Sequence, residues 1–254
     1  MSRRYDELGI NNLKIIQDDK YFCFGMDSIL LANFVVSNSS KNVILDFCSG
    51  SGVISIILSA KQKFKKIYAV ELQNEMFNLL EENVSKNHLE EKISTINCDI
   101  KDVEKIRQNV DGQNIDIIVC NPPYKEIGTG ITNENEIKYI ARHEVKCKLE
   151  DIFISANKLL NVKGQLYIVH KPERMSDLIS VARKYNLEPK TIRFVYPRVD
   201  TKPSIVLIKY VKKGGNELII EKPLIEYKDD SNTYTDEIYK MYGISKEGGS
   251  FYGK

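Results

Sequence analysis

Asn121-Pro122-Pro123-Tyr124 is the segment with the most definite chemical content. An aromatic amine conjugates its lone pair into the ring and is a poor nucleophile until something favours a pyramidal nitrogen. The side-chain oxygen of Asn121 and the backbone carbonyl of Pro122 can each accept one N–H of such a group. That draws the lone pair out of conjugation and toward a sulfonium methyl, and no strong base is required. Tyr124 offers a ring on which a flipped base can stack, a contact of roughly 1–3 kcal/mol. The two prolines cannot donate to a ladder, so they end whatever strand precedes them. The same tetrapeptide also reads as a rigid turn with a surface tyrosine. Its place after the fourth strand of a regular series favours the chemical reading.

Three further features sit at comparable places. Asp46-Phe47-Cys48-Ser49-Gly50-Ser51-Gly52 joins a strand to a helix, and Gly50 and Gly52 let a ligand approach the backbone amides at the helix start. The G-x-G-x-x-G and G-x-x-x-x-G-K-[ST] spacings are absent, which weakens the dinucleotide and nucleotide-phosphate readings. Glu71 ends the next strand, where an acid can accept from both hydroxyls of a ribose; it also suits the N-terminal end of the following helix. Asp99 closes the third strand and can accept from an adenine amine, or serve as N-cap to a helix beginning at Ile100.

The elements that must position these residues alternate regularly. Strands are expected at 42–47, 66–72, 93–97, 115–120 and 165–170, and helices at 53–60, 75–87, 103–109, 149–160 and 176–185. This is the pattern of a parallel sheet with crossover helices. The last pair of strands, 191–196 and 204–211, is separated by too few residues for a helical crossover, so an antiparallel edge hairpin is expected. The expected fold is therefore α/β and Rossmann-like, with a mostly parallel seven-stranded sheet and helices on both faces. Residues 1–40, with an apolar helix over 28–36, are expected to lie over the ligand side of the sheet. Residues 41–215 form the main domain, and 216–254 form a C-terminal extension with short strands near 218–220 and 224–227.

Composition narrows the class. Neither a membrane-length apolar run nor a signal peptide is visible, so the expected location is the cytoplasm. Five scattered cysteines and three separated histidines suggest neither disulfides nor a metal site. The net charge of +2 conceals an asymmetry: residues 155–215 hold 13 Lys or Arg against four Asp or Glu, and residues 71–104 hold nine acids against three lysines. Such a basic stretch suits a polyanion, although a solvated basic face has the same composition.

In combination, the D-x-x-x-G-x-G turn, the acid after the second strand, the Asp after the third and the N-P-P-Y after the fourth resemble class I methyltransferases that use S-adenosylmethionine on planar nitrogens. More narrowly, Phe22-Cys-Phe-Gly-Met-Asp-Ser-Ile-Leu-Leu-Ala32, Ala141-Arg-His-Glu144, His170-Lys-Pro-Glu-Arg174 and the 197–204 hairpin resemble the bacterial tRNA(Val) adenine-37 N6-methyltransferase family, over roughly 8–227. That family more often has Gly at the position of Cys48. The resemblance implies that Asp46, Cys48, Gly50 and Gly52 border the cofactor, that Glu71 takes its ribose and that Leu72 also lies at the cofactor. It further implies Asp99 and Ile100 at its adenine, with Asp27 and Ser28 in the covering segment. Asn121 to Tyr124 would hold the target base, with Asn121 also beside the cofactor. Arg142, His143, Lys171, Arg174, Arg198 and Lys202 become candidates for RNA contact. Methylation of a protein glutamine amide, or of another exocyclic amine in rRNA or DNA, uses the same chemistry. A noncatalytic binding module has no need for an amine-polarising turn. Oligomeric state is not inferable.

Overall fold

In the computed structural model of the chain the described residues are 3–21, 23–123, 147–228 and 231–243. The expected strands are β3 (Val43–Phe47), β4 (Lys66–Glu71) and β6 (Ile115–Cys120), buried on both faces, and the partly exposed β5 (Ile93–Asn97) and β7 (Leu160–His170), parallel to one another wherever they pair. Around them lie α1 (Met26–Phe34), α2 (Val53–Lys61), α3 (Asn74–Lys86), α4 (Val103–Asn109), α5 (Leu149–Leu159) and α6 (Met175–Lys184). The expected hairpin is present as β8 (Leu187–Tyr196) and β9 (Ile205–Lys212), with β9 inserted antiparallel between β7 and β8. The order across the sheet is β5-β4-β3-β6-β7-β9-β8. Two short strands, β10 (Ile219–Ile220) and β11 (Leu224–Ile225), pair in parallel with β8 and extend the sheet to nine strands.

Helices cover both faces of the sheet. Leu30 and Leu31 of α1, Ile56 and Ile57 of α2 and Leu80 of α3 fill one interlayer core, while Ile106 of α4, Phe153 of α5 and Leu178 of α6 fill the other. Each such side chain contributes about 1.5–3 kcal/mol by leaving water.

The N-terminal segment holds a feature not expected from sequence. β1 (Arg3–Glu7) and β2 (Lys14–Asp18) form an antiparallel ribbon whose connection places Asn11 and Asn12 at φ +48° and +56°. Asparagine tolerates that region better than most residues, which is the physical signal in the Asn-Asn pair. Fully buried Asn83 of α3 ties the ribbon down. Its Oδ1 accepts from Ile16 N (2.6 Å), and its Nδ2 donates to Ile16 O (3.1 Å) and to Ser51 O (2.9 Å) in the glycine turn. The C-terminal segment returns to the same side through α7 (Asp236–Met241), where Lys61 Nζ donates to Met241 O and to Asn33 Oδ1.

Gly52 has φ +86°, and a Cβ there would overlap Leu80 Cδ1 in the packed core. Gly52→Ala is therefore expected to lower the unfolding free energy by about 2 kcal/mol, read as a shift in the urea midpoint. Gly25→Ala, where a Cβ meets open space, should leave that midpoint within error.

Candidate active site

Strand register brings the chemical residues to one rim. Phe47 pairs with Val70 and Cys120, Glu71 with Asn97, and Cys120 with Ile168, so five parallel strands end together. The turn after β3 then coils tightly. Cys48 and Gly50 both have φ +56°, Ser49 N donates to Val70 O (3.0 Å), and Gly52 N donates to Ser49 O (2.8 Å) as α2 begins. Cys48 bears a left-handed conformation at a cost of about 1 kcal/mol, the physical reason a glycine suits that position.

Glu71 fastens this turn to β4. One carboxylate oxygen accepts from Gly50 N (2.8 Å) and the other from Gln73 N (2.9 Å), and the Leu72 backbone and the Gln73 side chain add further hydrogen bonds to the same carboxylate. Burial nonetheless pushes its carboxyl above the ordinary range. Leu72 follows, half-buried. Asp46 is fully buried. Its Oδ2 accepts from Ser55 Oγ (2.7 Å), while Oδ1 has no hydrogen-bond partner among the described residues. Burial first, and the charge of Glu71 besides, push the Asp46 carboxyl up to about 7.

Asp99 lies on the same rim, but it does not cap α4. That N-cap is Asp102, which accepts from Lys105 N (3.1 Å); Asp99 accepts from Lys101 N (2.9 Å) in the preceding turn, where Ile100 is buried. The helix starts three residues later than the N-cap reading required, because Asp99–Asp102 is itself a turn closed by Asp102 N donating to Asp99 O.

Asn121 leaves β6 half-buried, and its Nδ2 donates to Ser28 Oγ (3.0 Å) in the first turn of α1. With the amide nitrogen so engaged, the side-chain orientation is set and Oδ1 remains an acceptor. Ser28, 3% exposed, thereby acts on Asn121 across 93 residues of sequence. Asp27 beside it is half-buried, and its charge, after burial, helps push up the carboxyl of Glu226, a residue just past β11 that sequence reasoning did not single out. Pro122 is buried and Pro123 half-buried. The structure also gathers cysteines that looked scattered: Cys48 Sγ and Cys147 Sγ lie 3.9 Å apart as free thiols. Among the described residues no group of three or more His, Cys, Asp or Glu side chains is placed to hold a metal.

Of the basic candidates, Lys171 Nζ donates to Ser204 O (3.3 Å) and Arg174 pairs with Asp177 (2.7 Å). Arg198 donates to Ser231 O (2.9 Å) and lies over the Tyr227 ring, and Lys202 is exposed. Tyr124, Arg142 and His143 lie outside the described residues.

This order of strands, with a coiled glycine turn after the first, an acid after the second and an Asn-Pro-Pro turn after the fourth, defines a class. The chain belongs to the methyltransferase small domain family, whose profile matches residues 23–185. Among individual relatives it is similar to the tRNA1(Val) (adenine(37)-N6)-methyltransferase of Haemophilus influenzae, at 27% identity over 89% of this chain and 92% of that one. The protein of the same name from Flavobacterium psychrophilum is 23% identical over 87% and 91% of the two chains. A third, from Shewanella halifaxensis, is 29% identical across 63% of either chain, less than two thirds of its length. In fold the chain is similar to a predicted O-methyltransferase of Agrobacterium tumefaciens (TM-score 0.67, 18% identity, covering 87% and 98%). It is also similar to M. jannaschii TYW2, solved in complex with AdoMet (TM-score 0.52, 16% identity, covering 79% and 82%). No helix among the described residues is long and apolar enough to cross a membrane.

The raised carboxyls make stability depend on pH. A folded-state pKa near 7 for Asp46 means that the folded chain holds a proton the unfolded chain has released, so stability falls as pH rises from about 4 to about 7 and then levels. Between pH 5 and pH 8 the cofactor-free protein should lose on the order of 2 kcal/mol from this group. Asp46→Asn should flatten that part of the urea-denaturation profile; an unchanged pH slope would place Asp46 among ordinary carboxyls.

Proposed function

We propose that the chain is an S-adenosylmethionine-dependent methyltransferase that methylates the exocyclic N6 of an adenine in tRNA, at position 37 of the anticodon loop. The observation that carries the reading is the Asn121–Ser28 hydrogen bond, which engages one N–H of the amide, turns the nitrogen toward Ser28 and leaves the oxygen for a substrate N–H. The amine needs acceptors and no base, and Asn121 Oδ1 with the Pro122 carbonyl supplies two of them. Relatives named for this reaction, two of them aligned over most of the chain, support the tRNA substrate. The basic 155–215 segment favours RNA over a protein amide. A cytoplasmic location follows from that substrate.

The residues fit the cofactor. Glu71 holds a buried carboxylate at the rim where ribose hydroxyls would bind, and Asp46 brings a buried oxygen lacking a partner among the described residues. Gly50, Gly52 and Cys48 keep side chains other than one thiol away from the approach, Leu72 lies beside the cofactor, and Asp99 and Ile100 border the adenine end. Bound there, S-adenosylmethionine supplies an electrophilic methyl on a sulfonium sulfur. In this reading residues 1–40, including Asp27, cover the cofactor, residues 41–215 form the methyltransferase domain, and 216–254 form an extension. Tyr124 stacks on the base, and Arg142, His143, Lys171, Arg174, Arg198 and Lys202 serve RNA contact.

Incubation with S-adenosylmethionine and tRNA from cells lacking the gene should yield N6-methyladenosine, identified by nucleoside mass spectrometry. Asn121→Ala should lose transfer by about 100-fold or more, the scale of one preorganised hydrogen-bonding group, while calorimetry shows a far smaller change in cofactor affinity. Ser28→Ala should lower kcat by about tenfold with little effect on cofactor affinity, since a misaligned amide loses near-attack geometry. A fully active Asn121→Ala protein would refute the amine-orienting role.

A further inference from the structure

α1 carries Ser28 to Asn121, yet the helix has little of its own to hold it in place. It runs nine residues, Met26–Phe34, and its N-cap, Gly25, has no side chain to accept from the first turn. A helix of that length is marginal alone, so its position depends on what packs around it. From the body of the domain α2, β7 and β9 meet it; from the C-terminal segment α7 does.

The contact with α7 is polar and specific. Met241 ends α7, so its carbonyl has no acceptor role inside that helix. Lys61 Nζ, at the end of α2, donates to this oxygen and to Asn33 Oδ1 of α1 (2.7 Å). Asn33 Nδ2 donates to the same Met241 oxygen (3.3 Å) and to Ile29 O (2.8 Å), the residue after Ser28. A cation and an amide thus join the ends of three helices through one carbonyl, the place where the helix dipole favours positive charge.

The same segment is anchored on either side of this point. Ile238 is fully buried in the core that α1 helps to form, and a Cβ on Gly243 would come within 2.5 Å of Gly9 O in the N-terminal ribbon. Its influence extends to the first turn of α1: after burial, Asp27 pushes up the Glu226 carboxyl, and Tyr227, Glu226 and Asp27 push up the Tyr242 phenol.

We propose that Lys61 and Asn33 are positioning residues of the active site: with the end of α7 they clamp α1, and through α1 they keep Ser28 on the amide nitrogen of Asn121. The inference rests on the methyltransferase reading above, in which Asn121 Oδ1 accepts from the substrate amine. It gives the C-terminal segment a part in turnover. A small shift of α1 tilts the Asn121 amide, and a misplacement near 1 Å is enough to slow a reaction many-fold. The glycine turn and Glu71 belong to other elements, so cofactor affinity should change far less than kcat.

The test uses the full-length protein, S-adenosylmethionine and tRNA from cells lacking the gene. Lys61→Met keeps the side-chain length and removes its donors; it should lower kcat at least about fivefold, with cofactor affinity by calorimetry within about threefold. Asn33→Ala should act in the same direction and replaces it if the methionine protein misfolds. Combined with Ser28→Ala, either variant should be no slower than the slower single variant, within about twofold, because both losses pass through Asn121. In NMR spectra the side-chain amide resonances of Asn121 should move as they do in Ser28→Ala. Ile208→Val thins the core on the opposite face of the sheet and should lower the urea midpoint while kcat stays within about twofold. The clamp is rejected if the Asn121 amide resonances stay in place in both the Lys61 and Asn33 variants, or if their losses multiply with that of Ser28→Ala. It is rejected equally if Ile208→Val slows turnover as much at an equal loss of stability. Absence of methyl transfer by the unaltered protein counts against the proposed function instead, because the Asn121 resonances still report on the clamp.

Discussion

Backbone register at the carboxyl ends of β3, β4, β5, β6 and β7 is the constraint from which the rest follows. Parallel strands in a common register end on one line, so the residue following each end joins a shared rim regardless of its distance in sequence. The Glu71 carboxylate then secures that rim by accepting from amides on both sides of it, Gly50 and Gln73. Two charge-assisted bonds of this kind offset a desolvation cost that still leaves the carboxyl shifted upward. Asp46, one strand away, is also shifted upward, by burial first, and only one of its oxygens has a partner among the described residues. Two buried acids at the mouth of a glycine turn are an expensive arrangement for a structural element alone, which is why perturbed carboxyls point to a site.

Segments outside the main sheet are bound to the helices around it by polar side chains wholly or partly withdrawn from solvent. Asn83 holds the N-terminal ribbon and the glycine turn together, and Lys61 holds α7 against α1 and α2. Burial and its hydrogen bonds to oxygens balance unequally for Lys61: desolvation lowers its ammonium to about 8. Ser28 extends the same design to Asn121. A buried group that loses its partner costs more than a surface pair contributes, so these contacts fix the relative placement of distant segments.

The surface charges behave differently. Within the basic 155–215 stretch Arg183 pairs with Glu188, while Arg193 and Lys184 pair with Glu237 and Glu150, which lie outside it. Exposed pairs of this kind contribute about 0–1 kcal/mol each, but they lower the local field that a polyanion meets. The excess of +9 counted along the stretch, 13 − 4, therefore overstates its potential. Lys202 on the exposed β8–β9 connection has no such carboxylate partner among the described residues.

The periodic part of the structure was legible in the residues themselves. Continuous apolar runs marked β3 to β6 nearly to the residue, and the short 197–203 spacer required a hairpin, because local pattern and chain length suffice for both. Asp46, Glu71, Asp99 and Asn121 could be assigned to one rim for the same reason: each lies at or just past the carboxyl end of a strand of one parallel sheet. Pairings between segments far apart in sequence could not be read this way. Ser28 against Asn121, Asn83 against Ile16 and Ser51, and Cys48 against Cys147 depend on how layers pack, and no spacing along a single chain encodes them. The Asn-Asn turn of the first ribbon left a faint trace in residue type, whereas the approach of Glu226 to Asp27 left none. Sequence determined which chemistry stands at the strand ends; tertiary packing decided that the amide nitrogen of Asn121 faces Ser28, which leaves its oxygen as the acceptor.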